Sequence, residues 1–304
     1  MERLCGSLLI VLFFVCGASG FAFDWPSDQA VMVSNFGKSD GGRPMLGDTF
    51  RSEGALTTIE KGEIIYSRGV SAPASRFPSP LGNMLVVDHG DGLLSIYSRM
   101  AHLRTKPESL MDPGTAIAVS GLSGWSKTEG FYLSIFDRKE RRWVNPSLII
   151  PVIPDTRSPL IRSVKLKDNA NQIIDLATTR TVRQGAYTIL VHADVPRIKP
   201  SEPPLMPLRI ICSVNGIEAD YLAFETFSAH DGALMMFRNG LVPTSQIYTY
   251  NPAVETGSVF FNRGQVTLEI IVQSSMVLST SAASATANGT VPNSHSAVYR
   301  LIVE

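Results

Sequence analysis

The chain has 304 residues, 44% of them hydrophobic, and its 27 Lys plus Arg are balanced by 27 Asp plus Glu. A chain of this size and composition can bury a sizeable core and suggests about two domains. The even charge balance provides no basic field to gather nucleic acid, so a nucleic-acid partner is not expected.

The first residues, MERLCGSLLIVLFFVCGASGFAF, place Arg3 before an apolar run from Leu8 to Val15, with small residues Gly17 to Gly20 behind it. The run is too short to span a bilayer and has the tripartite form of a secretory signal, predicted here as residues 1–22 with cleavage after Gly20 or Ala22. The expected location is the periplasm or cell envelope, with no membrane-spanning segment once the signal is removed. Cys16 raises the question of lipid attachment, although Val15 stands where a lipoprotein signal wants a small residue. Losing the signal also removes Cys5 and Cys16, and Cys212, inside the apolar run Leu208 to Val214, is then expected to be a buried small hydrophobe without a disulfide.

From Phe36 to Phe50 the sequence FGKSDGGRPMLGDTF is Gly-rich and polar. Glu60 to Tyr66 reads as a polar turn followed by a β-rich run, and Ser71 to Pro80 as a surface loop. The stretch GNMLVVDHGDGLLSIYSRMAHL reads as two apolar strands joined at Gly90-Asp91-Gly92, a β-hairpin, with Ala101-His102-Leu103 ending its second strand. His89 beside the turn is expected to be structural or solvated. Asp112-Pro113-Gly114-Thr115 is turn chemistry and Ala116 to Ser120 a short strand closed by Gly121. The loop Gly121 to Gly130 carries Trp125. In the following strand, Tyr132, Ser134 and Phe136 share one face, while Leu133, Ile135 and Asp137 share the other. Asn145-Pro146 and the apolar Leu148 to Val152 close the region.

The order of these phrases over Asn35 to Pro151 resembles the lysostaphin-type (LytM-like) zinc endopeptidases, which cut peptide cross-links in bacterial cell walls. The resemblance implies a His-x-x-x-Asp element near Asp48 and a His-x-His strand after a Gly. Counting back from Asp48 puts Pro44 at the first His, and Tyr132 and Ser134 fall at the His-x-His pair. Asp48, His102, Tyr132 and Ser134 are therefore the family-equivalent positions. Asp48 reads either as the retained carboxylate or as a turn residue, and His102 as the family's polarising His or as a half-buried hydrogen-bonding residue. Because zinc sites are made by Cys, His and carboxylates, no catalytic or metal-binding residue is expected, and zinc enters only under the alternative that Glu129 or another unrecognised ligand completes a site. Trp125, His102 and Tyr132 are the candidate binding residues. The implied partner is peptidoglycan or a cell-wall hydrolase; an active endopeptidase with substituted ligands and a structural or adhesive surface protein are the other readings.

Beyond Pro151 the prolines at 154 and 159 mark a linker at Pro154 to Ser158. β-rich runs follow at Ile161 to Leu166, Gln172 to Leu176, Tyr187 to Ala193, Leu208 to Val214, Tyr221 to Phe227, Leu234 to Asn239, Val266 to Gln273 and Ala297 to Val303, with Asn215-Gly216 and Asp231-Gly232 as turns. This pattern suggests an immunoglobulin-like β-sandwich. Ile198 to Pro207 is a Pro-rich connection, and Ser274 to Ser294, dominated by Ser, Thr and Ala, is expected to be a loop. The predicted fold is all-β: a lysostaphin-like antiparallel domain over 23–153 followed by a sandwich over 154–304.

Overall fold

Residues 82–100 form the hairpin that their pattern predicts. In the computed structural model, which describes residues 23–69, 79–105, 109–150, 157–277 and 292–304, Asn83–Asp88 and Leu93–Met100 pair antiparallel. Between them Gly90, Asp91 and Gly92 have φ of 85°, 51° and 89°. Glycine adopts this region freely and aspartate at modest cost, which is why a Gly-Asp-Gly sequence can make the reversal.

Gly62–Arg68 pairs with the outer edge of Asn83–Asp88, and Gly130–Asp137 with the outer edge of Leu93–Met100. The free edge of Gly130–Asp137 is shared. Its residues 130–133 pair with Asp48–Arg51, and its residues 135–137 pair with Arg142–Val144. Ser134 sits at the change of partner. Arg142–Val144 then pairs with Thr226–His230, and the sheet continues through Ala233–Phe237 to Leu241–Pro243. One sheet thus contains strands from both sides of residue 154.

Alternation along these strands separates a core face from its reverse. Phe50, Leu85, Val87, Tyr97, Phe131, Leu133 and Ile135 are buried together in the first core. Phe50 stacks on Phe131 with ring centroids 4.8 Å apart, and the Tyr97 hydroxyl accepts the Ile59 N–H at 2.9 Å. Burying each large side chain of this kind stabilises the fold by about 1.5–3 kcal/mol relative to exposure. His89 is structural: its Nδ1 lies 2.8 Å from the Lys61 carbonyl and its Nε2 2.8 Å from Ser95 Oγ, tying the hairpin to the neighbouring turn.

The second half is a sandwich of two sheets. One contains Leu160–Asp168, Ile173–Asp175, Gly185–Asp194 and Val254–Phe261; the other contains Thr181–Val182, Arg209–Val214, Ile217–Ala223, Gly264–Val277 and Pro292–Val303. Val164, Leu166, Ile189, Val191, Ile210, Leu268 and Ile270 fill the space between them. Cys212 lies in this core, as expected. Burial pushes its thiol up to about 12, so it is a packed hydrophobe rather than a nucleophile.

Three expectations need correction. Tyr221 to Phe227 is not one strand: Phe224 and Glu225 interrupt it, and Thr226–His230 turns away to join the first sheet. The Ser/Thr/Ala-rich stretch after Ser274 does not begin as a loop, since one strand runs on to Val277 and the next starts at Pro292, backbone pairing with Val277 across the ladder. Ala101-His102-Leu103 does not end the hairpin strand either. His102–Leu103 leaves that sheet and pairs with Ala116–Val119, which pairs in turn with Ala55–Thr57. The strand Val254–Phe261 has no counterpart among the predicted β-rich runs. Among the described residues the only α-helix is the single turn Thr244–Ile247. The signal stretch 1–22 and most of the Ser71–Pro80 loop and of the linker lie outside the described residues.

The two halves meet along a seam. Phe36 stacks on Phe227 at 4.8 Å, and the Asn145 side-chain amide donates to the Phe224 carbonyl at 2.7 Å. Asn35 exchanges two bonds with the Met206 backbone at 2.9 and 2.8 Å. Gly37, at φ 78°, lies so close to Phe224 that an added Cβ would stand 2.9 Å from the ring, so glycine is required there by both space and conformation.

Candidate functional site

The segment gripped at the seam leads directly into the site. Asp48 opens the strand Asp48–Arg51 and is 1% exposed. Its Oδ1 accepts the Phe36 N–H at 2.8 Å, whereas Oδ2 is buried without a hydrogen-bond partner. Burial pushes the carboxyl up to about 7; the single backbone bond pulls the other way and does not compensate. Asp48 is therefore not a solvated turn residue.

Tyr132 and Ser134 share the face of Gly130–Asp137 opposite to Phe131, Leu133 and Ile135, as alternation requires. Tyr132 is 8% exposed, and the Arg99 guanidinium carbon lies 5.1 Å from its ring centroid. Burial first, and then the nearby Asp48 charge, raises the Tyr132 pKa, with Arg99 acting in the opposite direction; the phenol stays neutral. Ser134 is 3% exposed and donates its hydroxyl to the Leu46 carbonyl at 2.6 Å. Gly47 permits this closeness. A Cβ there would lie 2.2 Å from the Leu133 carbonyl oxygen and 2.9 Å from Ser134 Cβ.

In the row across the sheet, Thr49 and Ser98 stand opposite Tyr132 on its two neighbouring strands. Both hydroxyls are buried and have no hydrogen-bond partner. Sequence reading missed these two residues and Arg99. Register could have found the hydroxyls once the sheet order was known. Arg99 depends on a positive φ of 66° where the pairing shifts register, a local irregularity with no composition signal.

The other expected residues are not joined to this group. Pro44 is buried in a two-residue strand pairing with Ser39–Asp40. His102 is exposed on the three-stranded sheet. Trp125 is 71% exposed, and its backbone N–H donates to the Pro80 carbonyl. Glu129 is exposed in the same loop. Asp137 caps its own turn, accepting the N–H groups of Lys139 and Glu140 at 3.0 Å each.

This arrangement does not fit a zinc ion. A catalytic zinc needs three protein ligands from Cys, His and carboxylate and an open position for water. Here one carboxylate stands among a phenol and an aliphatic hydroxyl already bonded to backbone. Among the described residues no three His, Cys, Asp or Glu side chains gather in a way that could hold a metal. No catalytic step can be routed through zinc on these residues.

The chain is 29% identical over 131 residues to the murein hydrolase activator NlpD of Salmonella dublin, covering 43% of this chain and 32% of that protein. The chain thus spans about a third of that relative's length. An uncharacterized protein of Treponema pallidum is 26% identical over 123 residues, 36% of this chain and 83% of its own. Among solved structures, the catalytic domain of the antimicrobial peptidase lysostaphin from Staphylococcus simulans aligns with 19% identity and a TM-score of 0.31, covering 36% of this chain and 81% of that one. A family model matches residues 158–276, inside the second half.

Proposed function

With its first half a lysostaphin-type, LytM-like domain that lacks most of the family's zinc-holding residues, we propose that the protein is exported to the cell envelope and regulates a cell-wall hydrolase there without cutting peptides itself. The observation that carries this reading is the strand Gly130–Asp137, whose Tyr132 and Ser134 share one face and, by the resemblance, stand where the family has its paired imidazoles. Both are buried and engaged, Tyr132 under Arg99 and Ser134 on the Leu46 carbonyl. Neither is a usual zinc ligand. The name of the Salmonella relative supports the regulatory half of the proposal.

The test is a release assay on isolated peptidoglycan. The purified chain alone releases no soluble fragments, and adding it to a murein hydrolase from the same envelope raises that enzyme's release rate. Stoichiometric zinc in protein purified without added metal, together with chelator-sensitive cleavage by the chain alone, would overturn the proposal in favour of an active endopeptidase. Failure to affect any hydrolase or to associate with cell walls would favour the structural surface-protein reading.

A further inference from the structure

A cavity that opens at the seam runs onto the second half, and neither Asp48 nor Tyr132 is in its lining. Its smaller part, about 180 Å³, lies between Lys38 and Ser39 of the first half and Asp194, Met206 and Tyr248 of the second. Its larger part, about 550 Å³, lies on the outer face of the sandwich between Lys165, Ser163 and Tyr250. The two share His192 and the ridge Asn251-Pro252-Ala253, so they form one trough with His192 near its middle.

The polar groups lining this trough are mainly donors. Lys38 Nζ gives one proton to the Pro204 carbonyl at 2.6 Å and keeps two to offer. Lys165 has only a loose partner, Asp175 at 3.8 Å. Asp194 is the single carboxylate in the lining, and Arg162 already engages both its oxygens, at 2.9 and 3.0 Å. Burial, reinforced by Arg162 and Lys165, lowers the His192 pKa against the pull of Asp194, leaving a neutral imidazole that can donate one N–H.

We propose that the trough binds a short, extended acidic peptide, with carboxylates at Lys38 and Lys165 on either side of His192. Asn251 and the Ser163 hydroxyl are suited to the peptide's backbone groups. In an extended peptide, side chains two residues apart project to the same side at about 6.5–7 Å, a spacing that lets successive acidic residues reach separated cations. A saccharide is the poorer occupant, because it would use Tyr250 as a stacking platform and Lys167 Nζ already lies 4.9 Å from that ring's centroid. The site is distinct from the Asp48 and Tyr132 face and does not depend on its reading.

Calorimetric titration of the full chain with Ac-Ala-Glu-Ala-Glu-Ala-amide, its Gln-for-Glu counterpart and a neutral amino-sugar oligomer tests the proposal. The Glu peptide should bind at least about tenfold more tightly than the Gln peptide, the loss expected when charge-assisted bonds become neutral ones. Lys38→Ala and Lys165→Gln should each weaken the Glu peptide by about tenfold, while Arg99→Ala leaves it unchanged. Lys165→Gln gives up only the loose exposed pair, so it decides the matter should Lys38→Ala fail to fold. Equal binding of the Glu and Gln peptides, insensitivity to Lys165→Gln, no saturable binding, or preference for the oligosaccharide would each overturn it.

Discussion

Along Gly130–Asp137, Phe131, Leu133 and Ile135 are at most 1% exposed and lie in an apolar core, whereas Tyr132 and Ser134 on the reverse are 8% and 3% exposed and meet Arg99, Asp48 and the Leu46 carbonyl. Both faces are buried, but they answer to different requirements. The first needs volume and apolarity to hold three strands together. The second needs only that each polar group not be stranded, and that condition can be met by many residues besides metal ligands. A ligand-bearing face can therefore change its chemistry while the strand that carries it stays in place.

Breaking the core face should have the largest effect. Phe131→Ala removes a fully buried ring stacked on Phe50 and should cost about 3–5 kcal/mol of stability, read as a lower denaturant midpoint. Loss of less than about 1 kcal/mol would mean that this face does not organise the sheet.

The polar face should reveal itself through pH. The Asp48 carboxyl titrates at about 7 when folded, against 3.8 for an ordinary Asp. As pH rises the unfolded chain therefore loses this proton first, and stability falls between about pH 4 and 7 and then levels off, with a slope of up to about 1.4 kcal/mol per pH unit. Asp48→Asn keeps an oxygen for the Phe36 N–H and cannot ionise, so the variant should lack this part of the slope and gain on wild type toward neutral pH. Parallel stability–pH curves for the two proteins would contradict the assignment.

Smaller still is the expected gain from restoring one family ligand. Ser134→His should bind no stoichiometric zinc, measured by metal analysis after purification, because Asp48 and one imidazole are one protein ligand short of a catalytic set. One equivalent of tightly bound zinc in this single variant would show that an unrecognised ligand completes the site.

These contrasts also explain what could be read in advance. The hairpin was legible because Gly90-Asp91-Gly92 and its flanking apolar runs fix turn and strands within twenty residues. That Tyr132 and Ser134 share one face was legible because alternation alone puts them there. The departure of His102–Leu103 into another sheet was not, since a two-residue strand is defined by its partner, Ala116–Val119, and carries no period of its own. Nor was the turn of Thr226–His230 toward Arg142–Val144, a pairing between residues more than eighty apart in sequence that depends on how the two halves dock. Burial of Asp48 belongs to the same class: its environment is made by the segment holding Phe36, which the sandwich clamps from the other side of the seam.

Trp125 provides the smallest effect on stability and the sharpest functional contrast with Phe131. At 71% exposure its ring rests on little of the protein, and the only bond described for the residue runs from its backbone to the Pro80 carbonyl, which any side chain would preserve. Trp125→Ala should thus leave the denaturant midpoint within about 0.5 kcal/mol of wild type. An exposed Trp in a loop is also the kind of side chain that anchors an interface, where its truncation commonly costs about 2 kcal/mol or more of binding. If the loop Gly121 to Gly130 contacts the cell wall or the hydrolase, sedimentation with isolated walls or stimulation of the enzyme should fall markedly in this variant while its unfolding curve overlays that of wild type. Unchanged association and stimulation would remove Trp125 from the binding surface and leave the loop without a part in the proposed function.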